Sequence, residues 1–414
     1  MPEPRPARRR AVVALGFALV ALPCAPLPAS AAPAGGEVAV DLLRHVGDRL
    51  VLETVTAPDA AAAQRLADRL EAQDSVSSAA PRTTYRLTPG PVELATEPLT
   101  GGGTLATDPF LHYATHLSEI GAPAAWATTT GEGITVAVLD SGVDPTAPDL
   151  TGRVLPGADF ATGTDIGTHG TQVATVAAGA LDNGIGAAGV APDVDVLPVR
   201  VCTPQGCSGA AVAQGIVWAA DHGADVVNLS LGGETYSTVT ADAVDYALRK
   251  GVVVAAAAGN TGDRGNPVEY PASYPGVVSV SASAVGGGAA PWAQHNDAVD
   301  LSAPGEDVPA GGPASQGHEY FAVSGTSFSA PQVAAAAALV RSVAPAATPG
   351  QVEALLRTSA APRPSWPAGY GTGMLDVAAA VRAAATPVPV PVSTPAPVDT
   401  PAPDVPRRAR TVRR

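Results

Sequence analysis

Ile134-Thr135-Val136-Ala137-Val138-Leu139-Asp140 is an apolar run closed by a carboxylate. A strand buried on both faces reads as a continuous apolar stretch, so this run points to the interior of a parallel sheet. Val194-Asp195-Val196-Leu197-Pro198-Val199, Val226-Val227-Asn228-Leu229 and Val252-Val253-Val254 are also strand-like. Helical stretches separate them, Ser208 to His222 and Ala241 to Lys250 among them. Alternating β and α elements predict a doubly wound α/β fold, a mostly parallel sheet with helices on both faces. In such sheets ligands bind beyond the carboxyl ends of the strands, which is where Asp140 stands.

Two more chemistry-bearing residues lie downstream. His169 sits in the Gly-bounded turn Gly167-Thr168-His169-Gly170-Thr171. Ser327 sits in Ser324-Gly325-Thr326-Ser327-Phe328-Ser329-Ala330-Pro331, directly before the Ala-rich run Gln332 to Val340. Alone, Ser327 would read as a helix cap, because Ser is a preferred capping residue. The upstream residues change that reading. A serine hydroxyl is a poor nucleophile until an imidazole takes its proton, and the imidazole needs a carboxylate to fix its tautomer and stabilise its cation. All three are present, in the order Asp, His, Ser.

That order and the text around it closely resemble the subtilisin-like serine peptidases, the subtilase family. The matching motifs are VLDSGVD at 138–144, GTHGTQVA at 167–174, SGTSFSAP at 324–331, and Ala255-Ala256-Ala257-Ala258-Gly259-Asn260, where a buried strand ends in Asn. The resemblance implies a secreted endopeptidase that works through an acyl-enzyme, with Asp140, His169 and Ser327 as triad. It implies an oxyanion hole made by the Asn260 amide and the Ser327 backbone N–H, and an extended substrate paired with Ser230-Leu231-Gly232. Ala258, Gly259 and Glu269 would line the substrate pocket. A carboxylate there, directly before Tyr270-Pro271, would favour Arg or Lys before the scissile bond. One observation stands against that preference: no Lys or Arg occurs between Arg86 and Arg153.

No cofactor is required for this chemistry, but the family's calcium loop has a counterpart here. Leu181, Asn183, Ile185 and Ala187 fall on its ligand positions, with Asp149 as the completing carboxylate. Ca²⁺ takes six or more oxygen ligands, which such a loop can supply. The catalytic sequence is also similar to the mycosins, actinobacterial subtilases attached to type VII secretion systems; Tyr270 to Gly276 and Gly369 to Gly373 suit both groups. Outside the enzymes, an inactive subtilase fold could serve as a scaffold or adhesin. A dead relative is expected to lack a triad member or the oxyanion Asn, and all four are present.

The N-terminus carries Arg5, Arg8, Arg9 and Arg10, then an apolar run from Ala11 to about Leu22 and small residues at Ala29-Ser30-Ala31. This is the layout of a cleaved signal peptide, residues 1–31, and is too short for a spanning helix. Pro23 argues against a lipid on Cys24. Cleavage leaves Cys202 and Cys207, which flank a Pro-containing turn and in an exported protein read as a small disulfide loop. A thiol pair or a metal site is the alternative, the latter weak without nearby His ligands. The other histidines, at 45, 112, 116, 222, 295 and 318, have no metal-ligand partner at a recognisable spacing.

Residues 32–87 read as a small β-β-α-β module. Its strands are Glu37 to Leu43, Leu50 to Val55 and Arg82 to Leu87, around a helix from Ala60 to Gln73 capped by Asp59. By resemblance it is a pro-domain that assists folding and occupies the cleft. The Gly/Pro-rich stretch 88–108 is then the linker that is processed, 109–385 the catalytic domain, and 386–414 a Pro-rich spacer with a basic end. The net charge is −14, and removing residues 1–31 makes it about −17, which argues against nucleic acid as a partner. The expected partners are polypeptide substrates and the chain's own pro-domain. The expected state is a monomer without a membrane span, extracellular or associated with the cell envelope.

Overall fold

The computed structural model describes residues 36–87, 99, 108–161 and 167–386. The expected signal peptide, the linker apart from Leu99 and Asp108, and the tail from 387 lie outside the described residues.

The N-terminal module is a three-stranded antiparallel sheet, β1 (Val38–Val46), β2 (Arg49–Ala57) and β3 (Val76–Pro81), in the order β2-β1-β3. Helix α1 (Ala60–Glu71) covers one face, packing Ala63 and Ala67 against Val40, Leu42 and Ala79. Asp59 caps it, accepting from the Ala62 N–H at 2.7 Å. The opposite face carries Leu43 and Leu50 into the core of the large domain, and Ser77 donates to Asp242 at 2.6 Å.

The third strand departs from expectation. It is Val76–Pro81, a run of small residues whose period is hard to read, where the sequence pointed to Arg82–Leu87. Residues Thr84–Leu87 instead leave the module as β4 and join strands of the large domain.

The large domain opens with α2 (Thr115–Glu119) and α3 (Ala122–Trp126). It continues through β5 (Thr135–Asp140), β6 (Ala158–Asp159), α4 (Thr168–Ala178), β7 (Asp195–Arg200), β8 (Cys202–Thr203), β9 (Gly206–Ser208) and α5 (Gly209–Asp221). Next come β10 (Val226–Leu229), β11 (Leu231–Gly232), α6 (Thr238–Arg249), β12 (Val253–Ala257), β13 (Val277–Ser283), β14 (Leu301–Pro304), β15 (Val308–Gly311) and β16 (Tyr320–Val323). Three helices close the described chain: α7 (Thr326–Val343), α8 (Pro349–Ser359) and α9 (Val377–Ala385).

Seven strands form one parallel sheet in the order β14-β13-β12-β10-β5-β7-β6. Both faces are buried, as the apolar runs required. Val136 and Val138 pack with α4 and α7, while the alternate residues Ala137 and Leu139 pack with α5 and α6. Strand β5 lies between β10 and β7, where the winding reverses direction, so Asp140 ends its strand at the switch point of the sheet. The expected disulfide is present, Cys202–Cys207 with an S–S length of 2.05 Å. No helix among the described residues is long and apolar enough to cross a membrane.

Candidate active site

Asp140 is fully buried, and its carboxylate is held from two sides. Oδ1 accepts from the Ser141 N–H at 2.7 Å, and His169 Nδ1 lies 2.9 Å from Oδ1 and 3.0 Å from Oδ2. With Nδ1–H donating to a carboxylate, the neutral imidazole presents Nε2 as a proton acceptor. His169 lies in the first turn of α4 and not in an open turn as its Gly neighbours suggested. Those glycines have a steric role: a Cβ on Gly170 would stand 2.2 Å from the Gly142 carbonyl. Only Gly lets α4 start this close to the end of β5.

Ser327 is also in a first helical turn, that of α7, behind Gly325 with φ 143°. A side chain rarely tolerates that backbone angle, so Gly at 325 turns the chain sharply from β16 into the helix. Phe328 follows and packs its ring 5.4 Å from the His169 ring, so α7 and α4 meet at these two residues. The Ser327 hydroxyl donates to the Ser230 carbonyl at 3.2 Å, and the Ser230 hydroxyl donates to the Ser327 carbonyl at 2.8 Å. His169 Nε2 has no hydrogen-bond partner here. Hydrogen bonds in catalytic sites commonly tighten only with substrate bound.

Asn260 is anchored through Oδ1, which accepts from both the N–H and the hydroxyl of Thr326 at 2.9 Å. Fixing the oxygen sets the orientation of the amide, with Oδ1 on the residue that precedes Ser327. The Ser327 N–H belongs to the first turn of α7.

Strand β4 lies along this site. It pairs antiparallel with β11, Leu87 opposite Leu231 and Arg86 opposite Gly232, and on its other edge with β9. Its C-terminal end therefore runs toward Ser230 and Ser327. Tyr85 is fully buried against Leu231, and its hydroxyl lies 3.2 Å from that of Tyr274.

Glu269 lies behind Gly259, where a Cβ would come within 2.5 Å of the Glu269 carboxylate. Gln294 Nε2 donates to it at 2.7 Å and the Thr261 hydroxyl at 3.4 Å. Burial pushes its carboxyl up to about 7, and the charge of Glu234 adds to the shift. The Gln294 and Thr261 partners were missed in the sequence, since their approach depends on how the loops around Gly259 fold together.

The 181–187 loop is built around two carboxylates. Asp149 is fully buried and accepts from Asn183 Nδ2 at 2.8 Å, from the Ala187 N–H at 3.3 Å and from the Tyr320 hydroxyl. Burial pushes its carboxyl up to about 6, with Asp108 adding to the shift. Asp108, which the sequence reading left in the linker, accepts from the N–H groups of Asp182, Asn183 and Gly184. Among the described residues no group of three or more His, Cys, Asp or Glu could hold a metal, so a cation here would depend on carbonyls and Asn183 as well. Carboxylates, carbonyls and an amide oxygen are the donor set of a hard cation. Asn183 Oδ1 is turned to the Ile185 N–H at 2.8 Å.

A doubly wound sheet that gathers an acid, an imidazole and a serine at one carboxyl edge is the architecture of a serine endopeptidase. The chain belongs to the subtilase family, whose profile matches residues 131–373, and whose chemistry requires no cofactor. It is 42% identical over 224 residues to a thermophilic serine proteinase of a Bacillus species, covering 53% of this chain and 55% of that protein, so it spans about half that relative's length. Subtilisin from Bacillus pumilus is 40% identical over 275 residues, covering 64% of this chain and 98% of that protein. Among solved structures, fervidolysin from Fervidobacterium pennivorans, a keratinolytic enzyme related to subtilisin, matches with a TM-score of 0.67 at 28% identity, over 86% of this chain and 61% of its own.

Proposed function

We propose that this peptidase is an exported zymogen that cleaves peptide bonds with Ser327 as nucleophile, His169 as general base and Asp140 as the group that orients His169. The observation that carries the reading is the His169 Nδ1 contact with Asp140 at 2.9 Å, on a ring packed against the residue after Ser327. His169 Nε2 takes the hydroxyl proton as Ser327 Oγ attacks the carbonyl carbon. The oxyanion formed is met by Asn260 Nδ2 and the Ser327 N–H. As the tetrahedral species collapses, His169 gives the proton to the departing amine. The resulting ester is hydrolysed by water through the same steps.

Substrate recognition on this reading is strand addition to Ser230-Leu231-Gly232, a mode in which backbone hydrogen bonds supply affinity and side-chain pockets supply choice. The pairing of β4 with β11 supports it, because Arg86 and Leu87 occupy that edge as part of an extended segment. They also support residues 32–87 acting as an inhibitory pro-domain. Arg86 stands opposite Gly232, short of Ser230, so cleavage after Arg86 is disfavoured and processing at a non-basic bond in 88–108 is favoured. Ala258 and Gly259 form the wall of the pocket whose depth Glu269 reaches.

A structural calcium ion fits the loop chemistry. Asp149, the Asn183 side-chain oxygen and the backbone of Leu181, Ile185 and Ala187 would hold it, with Asp108 beside them, and it would offset the burial of Asp149.

Labelling of the secreted protein with a serine-directed fluorophosphonate tests the core of the proposal. One adduct is expected, on Ser327, lost in Ser327→Ala. Active, unlabelled protein would overturn the nucleophile assignment, and N-terminal sequencing of the mature form reports the processing site.

A further inference from the structure

Strand β7 carries Arg200 in register with Asp140, and the next residue, Val201, donates its N–H to the Asp140 carbonyl at 2.8 Å. The chain then turns directly into β8. The β8–β9 hairpin thus grows out of the strand beside the catalytic aspartate. Strands β8 and β9 are two and three residues long, and a hairpin that short does not hold its shape in water. The disulfide clips it by joining the directly opposed pair Cys202 and Cys207, and at the turn the Thr203 hydroxyl donates to the Gly206 carbonyl and accepts from the Gln205 N–H.

Strand β9 then serves as a docking edge. Tyr85 lies opposite Cys207 and Thr84 opposite Ser208, while the next two residues, Arg86 and Leu87, pair with β11. An extended segment approaching Ser327 is therefore held in two halves. The half near the nucleophile is held by β11, and the remote half by the disulfide-clipped β9. Both sulfurs belong to residues buried beside Tyr85 and Leu231.

We propose that the Cys202–Cys207 bridge is a positioning element for the remote, amino-terminal half of extended polypeptide substrates. It acts through the β9 edge and not on the reacting atoms. The inference rests on the reading that substrate adds as a strand to β11. The loop that the bridge closes is very short, so chain-entropy effects on the unfolded state are small, and the bridge acts mainly on local order.

The test is kinetic. Cys202→Ala with Cys207→Ala is compared with the parent on a peptide of six residues before the scissile bond and on an acyl anilide of one residue. KM for the long peptide is expected to rise about tenfold with kcat unchanged, and the short substrate to be unaffected. Equal effects on both substrates, or none on either, would overturn the proposal. If the double variant fails to mature, hydrogen exchange in the Ser327→Ala full chain replaces kinetics. Residues 84–85 should then exchange faster without the bridge while 86–87 stay protected; unchanged exchange at 84–85 refutes it. Gly232→Pro, which removes a β11 donor, separates the two readings. If it leaves KM for the long peptide unchanged, strand addition itself fails; if it raises KM and the Cys variant does not, only the disulfide role fails.

Discussion

Ser230 and Ser327 hold each other reciprocally: the Ser230 hydroxyl donates to the Ser327 carbonyl at 2.8 Å, and the Ser327 hydroxyl donates to the Ser230 carbonyl at 3.2 Å. Asn228 Nδ2 in turn donates to the Ser230 hydroxyl at 2.9 Å, so the clamp extends back into β10. The residue proposed to align substrate thus also fixes the backbone of the proposed nucleophile. Ser230→Ala is expected to lower kcat up to about tenfold, the worth of one hydrogen bond, and to leave KM nearly unchanged because the Ser230 carbonyl remains. Steady-state kinetics on the purified variant check this, and an effect confined to KM would count against the clamp.

Asn260 has two tasks that mutation can separate. Its oxygen anchors Thr326, and its Nδ2 is the proposed oxyanion donor. Asn260→Ala should cost about 10²–10³ in kcat, a magnitude known from subtilisin itself, and should also lower the melting temperature because Thr326 loses its acceptor. Asn260→Asp keeps the acceptor and loses the donor, so it should recover stability without recovering turnover. Recovery of both would remove Asn260 from the oxyanion hole.

The sequence carried much of this arrangement because both the sheet and the chemistry are written locally. Strands buried on both faces must be apolar along their buried length, as Val136 to Leu139 are, and the candidate triad needs particular residue types beside particular turns. What could not be read there depends on distant pairing. Strand β3 is built from Val76, two Ser and two Ala before Pro81, and its place is set by β1 and not by its own pattern. The destination of Thr84–Leu87 is decided by the open edges of β9 and β11, more than a hundred residues away. Asp108 gave no signal because its partners are backbone N–H groups, which no side-chain motif records.

The proposed calcium ion predicts a loss of stability on chelation. Chelation would leave Asp149 and Asp108 close together without a cation, so the melting temperature of the Ser327→Ala chain is expected to fall with EDTA and recover with Ca²⁺ but not with Mg²⁺, which demands a smaller octahedral site. An unchanged melting temperature would mean that the hydrogen bonds from Asn183, Ala187 and Tyr320 suffice.

His116 predicts an acid-sensitive limb. It is fully buried with neither ring nitrogen hydrogen-bonded, and burial holds its pKa down at about 3. An unfolded histidine binds its proton near pH 6.5, so the contribution of neutral His116 is fully present above about 6.5 and is lost as pH falls toward 3. Melting temperatures of Ser327→Ala between pH 7 and 4 should decline less steeply when His116→Phe is added. Parallel curves would show that other groups set the acid limit.

The proposed place of Glu269 in the substrate pocket predicts a substrate choice that depends on pH. Its carboxyl is pushed up to about 7 by burial, and its neighbours Gln294 and Thr261 donate without supplying positive charge. Below that value the neutral acid is the main form, and the pocket offers a hydrogen-bonding but uncharged base. Above it the carboxylate predominates and attracts a cationic side chain through a partly desolvated path. The stability contribution runs the opposite way, present below the ordinary carboxyl range and lost as pH rises through about 7, so selectivity and stability shift in opposite directions. The ratio of kcat/KM for an Arg substrate over a Leu substrate is the informative readout, because pH effects on the shared bond-cleaving steps apply to both and cancel. That ratio should climb between pH 6 and 8 in the parent and stay flat in Glu269→Gln. A flat ratio in the parent, or no preference for Arg or Lys over Leu or Phe at pH 8, would mean that Glu269 serves the packing around Gly259 and does not choose the substrate.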